Sequence, residues 1–599
     1  MYKFYRFCYS IIVAFSIICT SLGSPVAEAS QKAQISYQYP LRSAKNVFPT
    51  TGIGIRVSKT VDKRDLTNSV IRVVGSKSGV VAGSITLADD KRTVIFTPTS
   101  QFQLGEKVSV TIPAGSTLPE TSFDFTISTA TRRADRKLIE EESYLSSTPF
   151  LQLPMDTIAP PTFTVWASDA PSEGYLFLQT LRPAPNNTDG YLMAVDNSGQ
   201  IRWKEYKPFV SPNFIPHKDG RYSYLQQTPI ATDAKFIILD SNFKEIGQVK
   251  APSQYATKIH ELLLLPNGHS MLLGRYSRTV DMSQIVTGGQ TEVTVDETAI
   301  IEFDSSGNIV FEWKTEDHYQ ITDATHEDFT AQSINYSFIN ALAIDNDGQL
   351  LASARRMDEI TKIDRETGSI IWRLGGKNNQ FTLIGDTTWF SHSHNIQALP
   401  NGHYILFDNG LYNKPKVSRG VEYAVDTAAK TVTQVWAFAH PDSIAGDMMG
   451  SVNRLPNGNT LIGWGTNTSR TCTEVTPDGK IALDMSMSGS TWSYRVYKAV
   501  RNLPMSSVKK EIAANVLGLS AFPNPTSSST TLSYRLENSS NVSYSIIDAL
   551  GRRVQNGDIG TALQGANLSS VSLSGLARGV YTVQVYADGK TSASRLVVE

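Results

Sequence analysis

A chain of 599 residues with 55 Lys and Arg against 56 Asp and Glu is too long for one hydrophobic core and has a formal net charge of -1. That balance excludes nucleic acid as the natural partner, because phosphate binding needs a basic face. Gly, Thr, Ser, Val and Ile recur with turn residues at short intervals, and apolar stripes at helical spacing are scarce, so the expected class is all-β.

Residues 1–29 read as an export signal: Lys3 and Arg6, an apolar run from Ile11 to Cys19, then a small-residue exit at Ala27-Glu28-Ala29. The run is too short to span a bilayer. Ile17-Ile18 ahead of Cys19 do not suit lipid attachment, which wants a small residue there. Cleavage removes Cys8 and Cys19 and leaves Cys472, so no internal disulfide is expected. Cys472, in RTCTEV, reads as a buried strand residue.

Residues 30–130 alternate over short strands such as GIGIRVSKTV and KVSVTIPAG, as in an Ig-like β-sandwich, with no ionisable cluster. The charged stretch 131–159 reads as a linker. From 160 to 505 a unit recurs: a strand, a Pro-Asn-Gly or Asp-Gly turn, and a strand closing on Gly. It appears as FIPHKDGRYSYLQ, LLLPNGHSMLLGR, AIDNDGQLLASAR, QALPNGHYILFDNG and NRLPNGNTLIGWG. Interleaved halves such as FDSSGNIVFEWKT and IDRETGSIIWRLGG end on aromatics. Two hairpins per unit make a four-stranded sheet, and with SEGYLFLQ counted as the first opening the expectation is a six-bladed β-propeller, with an insertion over roughly 277–335. Residues 515–599 read as a small C-terminal β-sandwich.

Of nine histidines, His217, His269 and His403 sit in or beside hairpin turns, and His318 and His440 in loops, where solvated or turn-satisfying roles are expected. His260 opens the third repeat, His394 opens the fifth, and Arg355 ends the corresponding strand of the fourth. Inner-strand openings of a propeller face its channel, so these three side chains are expected to converge. Two imidazoles and a guanidinium suit a tetrahedral anion such as sulfate. The bland alternative is that each satisfies buried backbone groups. His326 and His392 are accessory candidates on equal terms with a bland role.

No HExxH, CxxC or full Asp-rich calcium loop is present. Strand alternation would put His392 and His394 on one face with no carboxylate series nearby, so no metal is expected. No GxxxxGK[ST] occurs, so no nucleotide site and no cofactor is expected.

IDRETGSIIWRLGG, followed by FSHSHNIQALPNG and FDNG, resembles the bacterial aryl-sulfate sulfotransferases. The resemblance implies transfer of a sulfuryl group from a phenolic sulfate to a phenol, without a nucleotide donor. It assigns His394 as the nucleophile that forms a sulfohistidine, and His260 and Arg355 as holders of the sulfuryl oxygens. The family usually has a further histidine, in a segment like HINSI, that assists proton transfer; this chain reads FINAL there, with Phe338 at that position. Phe522-Pro523-Asn524-Pro525, Asp548-Ala549-Leu550-Gly551-Arg552 and Gly575 to Tyr581 resemble the C-terminal sorting domain of type IX secretion. That implies the type IX machinery as a partner, export through the periplasm, and a secreted or outer-surface location. A homodimer is the oligomer to test. The rival functions are a non-catalytic surface propeller for glycans or aromatic ligands, and an aryl sulfatase-like hydrolase.

Overall fold

The recurring hairpins fold as read, because each carries its own turn. In the segment Ile339–Ile344 and Leu350–Ala354, Gly348 takes φ 82° and donates to the Asp345 carbonyl at 2.9 Å. A side chain at that φ would be strained, which is why the turn ends in glycine. The computed structural model describes residues 33–67, 69–129, 159–182, 190–207, 211–227, 233–503, 517–548, 553–587 and 590–599. The expected export signal lies outside them, as does the expected linker apart from residue 159.

Among the described residues from 163 to 499, six sheets of four or five strands succeed one another in a propeller-like array. Their opening strands pack against one another from sheet to sheet, notably Ala256–Leu264, Ile339–Ile344, His394–Ala398 and Ser451–Arg454. Buried aromatics on closing strands fill the gaps between sheets. Trp313, 1% exposed, donates its indole N–H to the Gly368 carbonyl of the next sheet at 3.0 Å. The insertion is a hairpin of two eleven-residue strands, Ser270–Val280 and Val293–Phe303, to which Ser333–Asn335 adds in parallel.

The array is closed twice. Phe163–Ser168 adds to Ile481–Met487 as a fifth strand of the last sheet, and Tyr497–Ala499 pairs with Tyr175–Gln179 in the first. SEGYLFLQ is therefore not the opening of the first sheet, as its repeat position suggested; Tyr175–Gln179 is its second strand, and the chain's return supplies the opening one.

The N-terminal region forms two four-stranded sheets around Ile53, Ile55, Val108, Val110 and Phe123. It docks on the third and fourth propeller sheets: Tyr37 donates to the Glu312 carbonyl at 2.6 Å, and Arg56 to the Val310 and Arg365 carbonyls at 2.8 Å. Arg92 pairs with Glu366. His269, expected to be a solvated turn residue, is buried here between Glu302 at 2.8 Å and Asp89 at 2.7 Å. The C-terminal region is a second pair of sheets, of three and four strands, sharing a core of Leu532, Val542, Ile546, Val583 and Leu596.

The Glu302 hydrogen bond raises the His269 pKa, burial opposes it, and Asp89 adds to the rise. A raised folded-state pKa gives stability that is complete below the unfolded histidine value of about 6.5 and fades as pH climbs through the folded one. His269→Gln should therefore lower the apparent Tm most near about pH 6, and the gap to wild type should close toward about pH 9. A gap that stayed constant across that range would mean His269 is neutral in the docked interface.

Candidate functional site

Three consecutive opening strands carry a register break at the same end: between Thr257 and Leu262, between Ile339 and Ala341, and between His394 and Ile396. A bulge re-aims the side chains beside it. Phe338 and Asn395 take left-handed φ values of 43° and 62° to accommodate the bends. Asparagines tie the bent strands together: Asn213 donates to the His260 carbonyl at 2.8 Å, and Asn340 to the Ser393 carbonyl at 3.0 Å.

The result brings His260 and His394 together, with ring centroids 5.9 Å apart and both rings fully buried. The Tyr494 hydroxyl lies between them, 2.5 Å from His260 Nδ1 and 3.2 Å from His394 Nε2. His394 Nδ1 lies 2.8 Å from the Gly450 carbonyl. A carbonyl only accepts, so Nδ1 carries the proton and Nε2 presents its lone pair to the cluster.

Buried cations lie near the two rings. Arg355 is 2% exposed and donates to the Asp447 carbonyl at 3.1 Å. Lys258 Nζ sits 4.4 Å over the Phe338 ring, and that ring is 5.1 Å from His260. Arg495 donates to Glu261 at 2.8 Å and to the Asn340 carbonyl at 3.0 Å. Burial first, then Lys258, His394, Arg495 and Arg355, hold His260 well below the usual histidine range. Burial and Arg495 do the same to His394 against the Gly450 hydrogen bond, with Arg355 adding to the depression. Both imidazoles are thus neutral within a basic, desolvated enclosure, an arrangement fit to receive an anion.

His326 and His392 gather elsewhere, around Asp358. His392 does not share a face with His394: it precedes the strand His394–Ala398 and turns at φ 55°. Its backbone N–H and its Nδ1 reach Asp358 Oδ1 at 2.5 and 3.0 Å, while His326 Nε2 is 3.1 Å from Oδ2. Burial pushes the His392 pKa down to about 4 against the pull of Asp358, with Arg355 and Arg356 adding to the fall. Sequence reasoning missed Lys258, Tyr494, Arg495 and Asp358. YRVYK alternates like any strand, and MDEI reads like an exposed turn.

Residues 161–497 match the sequence family described as arylsulfotransferase (ASST), residues 520–599 the secretion system C-terminal sorting domain, and residues 29–127 a bacterial Ig-like domain. The sorting domain marks the chain for export to the cell surface or secretion by the type IX system. No curated protein sequence matches the chain. Among solved structures it is similar to a protein of unknown function from Bacteroides caccae, at 12% identity and TM-score 0.35, covering 55% of this chain and 100% of that one. It is also similar to a streptogramin B lyase, at 10% identity and TM-score 0.31, covering 56% of this chain and 98% of that one. A virginiamycin B lyase from Staphylococcus aureus is similar at 11% identity and TM-score 0.28, covering 54% of this chain and 88% of that one.

Proposed function

Because the chain belongs to the arylsulfotransferase family, we propose that it moves a sulfuryl group from a phenolic sulfate ester to a phenol through a sulfohistidine at His394. The six sheets are then the blades of one propeller, and the enclosure of His260, His394 and Arg355 is its reaction centre. One observation carries the reading: the Gly450 carbonyl fixes the proton of His394 on Nδ1, leaving Nε2 as a neutral nucleophile among buried cations.

In the first half-reaction the Nε2–S bond forms as the S–O bond to the aryl group breaks, and the phenolate leaves with that electron pair. Arg355, Lys258 and His260 hold the sulfuryl oxygens as charge shifts among them, a fixed electrostatic frame that needs little rearrangement. In the second, the acceptor phenol gives up its proton and its oxygen displaces Nε2. The proton it loses balances the one the released phenol gains.

The test is release of 4-nitrophenolate from 4-nitrophenyl sulfate by the purified chain, with and without phenol. Release accelerated by phenol, with phenyl sulfate as co-product, is the expected result. Release indifferent to phenol would make the protein a hydrolase, and no release would leave a binding module.

Phe338 bears on which donors work. The apolar ring occupies the place where the resemblance puts a proton-transferring histidine, so the departing phenolate has no donor there. Phe338→His should raise kcat/KM for phenyl sulfate, a poor leaving group, by about 100-fold. The same change should affect 4-nitrophenyl sulfate little, since nitrophenolate departs unaided. An equal effect on both donors, or none on either, would count against a missing acid at this position.

A further inference from the structure

We propose that His326, Asp358 and His392 form a binding site for one divalent transition cation of the Zn2+ class. Two neutral imidazole nitrogens and a carboxylate are the donor set that such an ion prefers, with a fourth position left to water. One ligand atom from each residue lies within 4.8 Å of the other two. Bonds of about 2.0–2.1 Å in tetrahedral geometry bring ligand atoms to roughly 3.4 Å, so an ion closes the cluster by little more than an ångström. His326, on the insertion, is the exposed ligand of the three, while Asp358 and His392 are 8% and 1% exposed.

The two buried ligands are held in unusual backbone conformations. Asp358 and His392 take φ values of 51° and 55°, in the left-handed region that non-glycine residues visit uncommonly, Asp and His more readily than most. Thr325 donates to Asp358 Oδ2 at 2.8 Å, which orients the carboxylate. Tyr412 stacks on His326 at 3.6 Å between centroids and 11° between planes, which orients the ring. Two cations neighbour the site: Arg356 is matched by Glu327, while Arg355, which donates to the Asp447 carbonyl, opposes an incoming ion. The carboxylate that the HSH motif lacks in sequence is thus brought by a preceding sheet.

An ion there would join the insertion, the turn three residues beyond Arg355, and the segment two residues ahead of His394. It would tie these three segments together. Metal binding here does not depend on sulfuryl transfer, so it is measured as binding and not as turnover.

The full chain, free of any histidine tag, is stripped with EDTA, dialysed and titrated with ZnCl2 by calorimetry. Co2+ is used as the spectroscopic probe. One Zn2+ per chain is expected, with a tetrahedral Co2+ visible spectrum, and affinity falling on the order of 100-fold or more in His326→Ala. His326 lies on an exposed loop, so its variant folds whatever becomes of His392→Ala. Absence of saturable binding by the wild type would overturn the site, and so would binding that His326→Ala leaves unchanged.

Discussion

Replacing His394 by asparagine should lower phenol-dependent release of 4-nitrophenolate on the order of 10⁴-fold or more, while the protein keeps its fold. The asparagine amide can still donate to the Gly450 carbonyl, the bond His394 Nδ1 makes at 2.8 Å, so the strand His394–Ala398 keeps its anchor. What disappears is the Nε2 lone pair that His394 presents to the cluster. His260 has Tyr494 at 2.5 Å from its Nδ1, and the nearby Lys258, Arg355 and Arg495 are cations with no free electron pair. The direct check is whole-chain mass spectrometry after brief exposure to donor without acceptor. Wild type should gain one SO3, which phenol discharges, and the variant should gain none. Turnover within about tenfold of wild type would place the nucleophile elsewhere and defeat the reading.

Much of this was legible because it is local. Alternation and Asn-Gly or Asp-Gly turns mark each hairpin within a dozen residues, and two histidines opening buried strands stand out against apolar neighbours. What was hidden is what the chain assembles over long distances. Phe163–Ser168 and Tyr497–Ala499 find partners some three hundred residues away, and nothing in their own sequence announces it. His269 looks like a turn residue because its partner Asp89 lies in another domain. His392 looks paired with His394 because alternation assumes a continuous strand, and a left-handed residue breaks it. Tyr494 and Arg495 escape notice for the same reason that they matter: they arrive on the segment just ahead of the returning strand Tyr497–Ala499, after the repeats have ended.

Arg495→Met should destabilise the propeller transition in urea by about 3–5 kcal/mol. Arg495 is 1% exposed and its partner Glu261 6%, so removing one leaves the other as an unmatched buried charge. The wild-type guanidinium reaches Glu261 at 2.8 Å and the Asn340 carbonyl at 3.0 Å, linking the segment just ahead of the returning strand to the opening strands of the third and fourth sheets. Burial already pushes the Glu261 pKa up, with Arg495 as its chief opposition; without that cation the carboxyl takes a proton or draws in water. Adding Glu261→Leu to Arg495→Met should recover part of the loss, since two apolar groups leave no buried charge. A single variant within about 1 kcal/mol of wild type, or a double variant worse than the sum of the two singles, would show that the pair does not hold the ring closed. Arg495 also helps keep His394 neutral, so a variant that closes normally yet transfers slowly would assign it to the electrostatics of the enclosure instead.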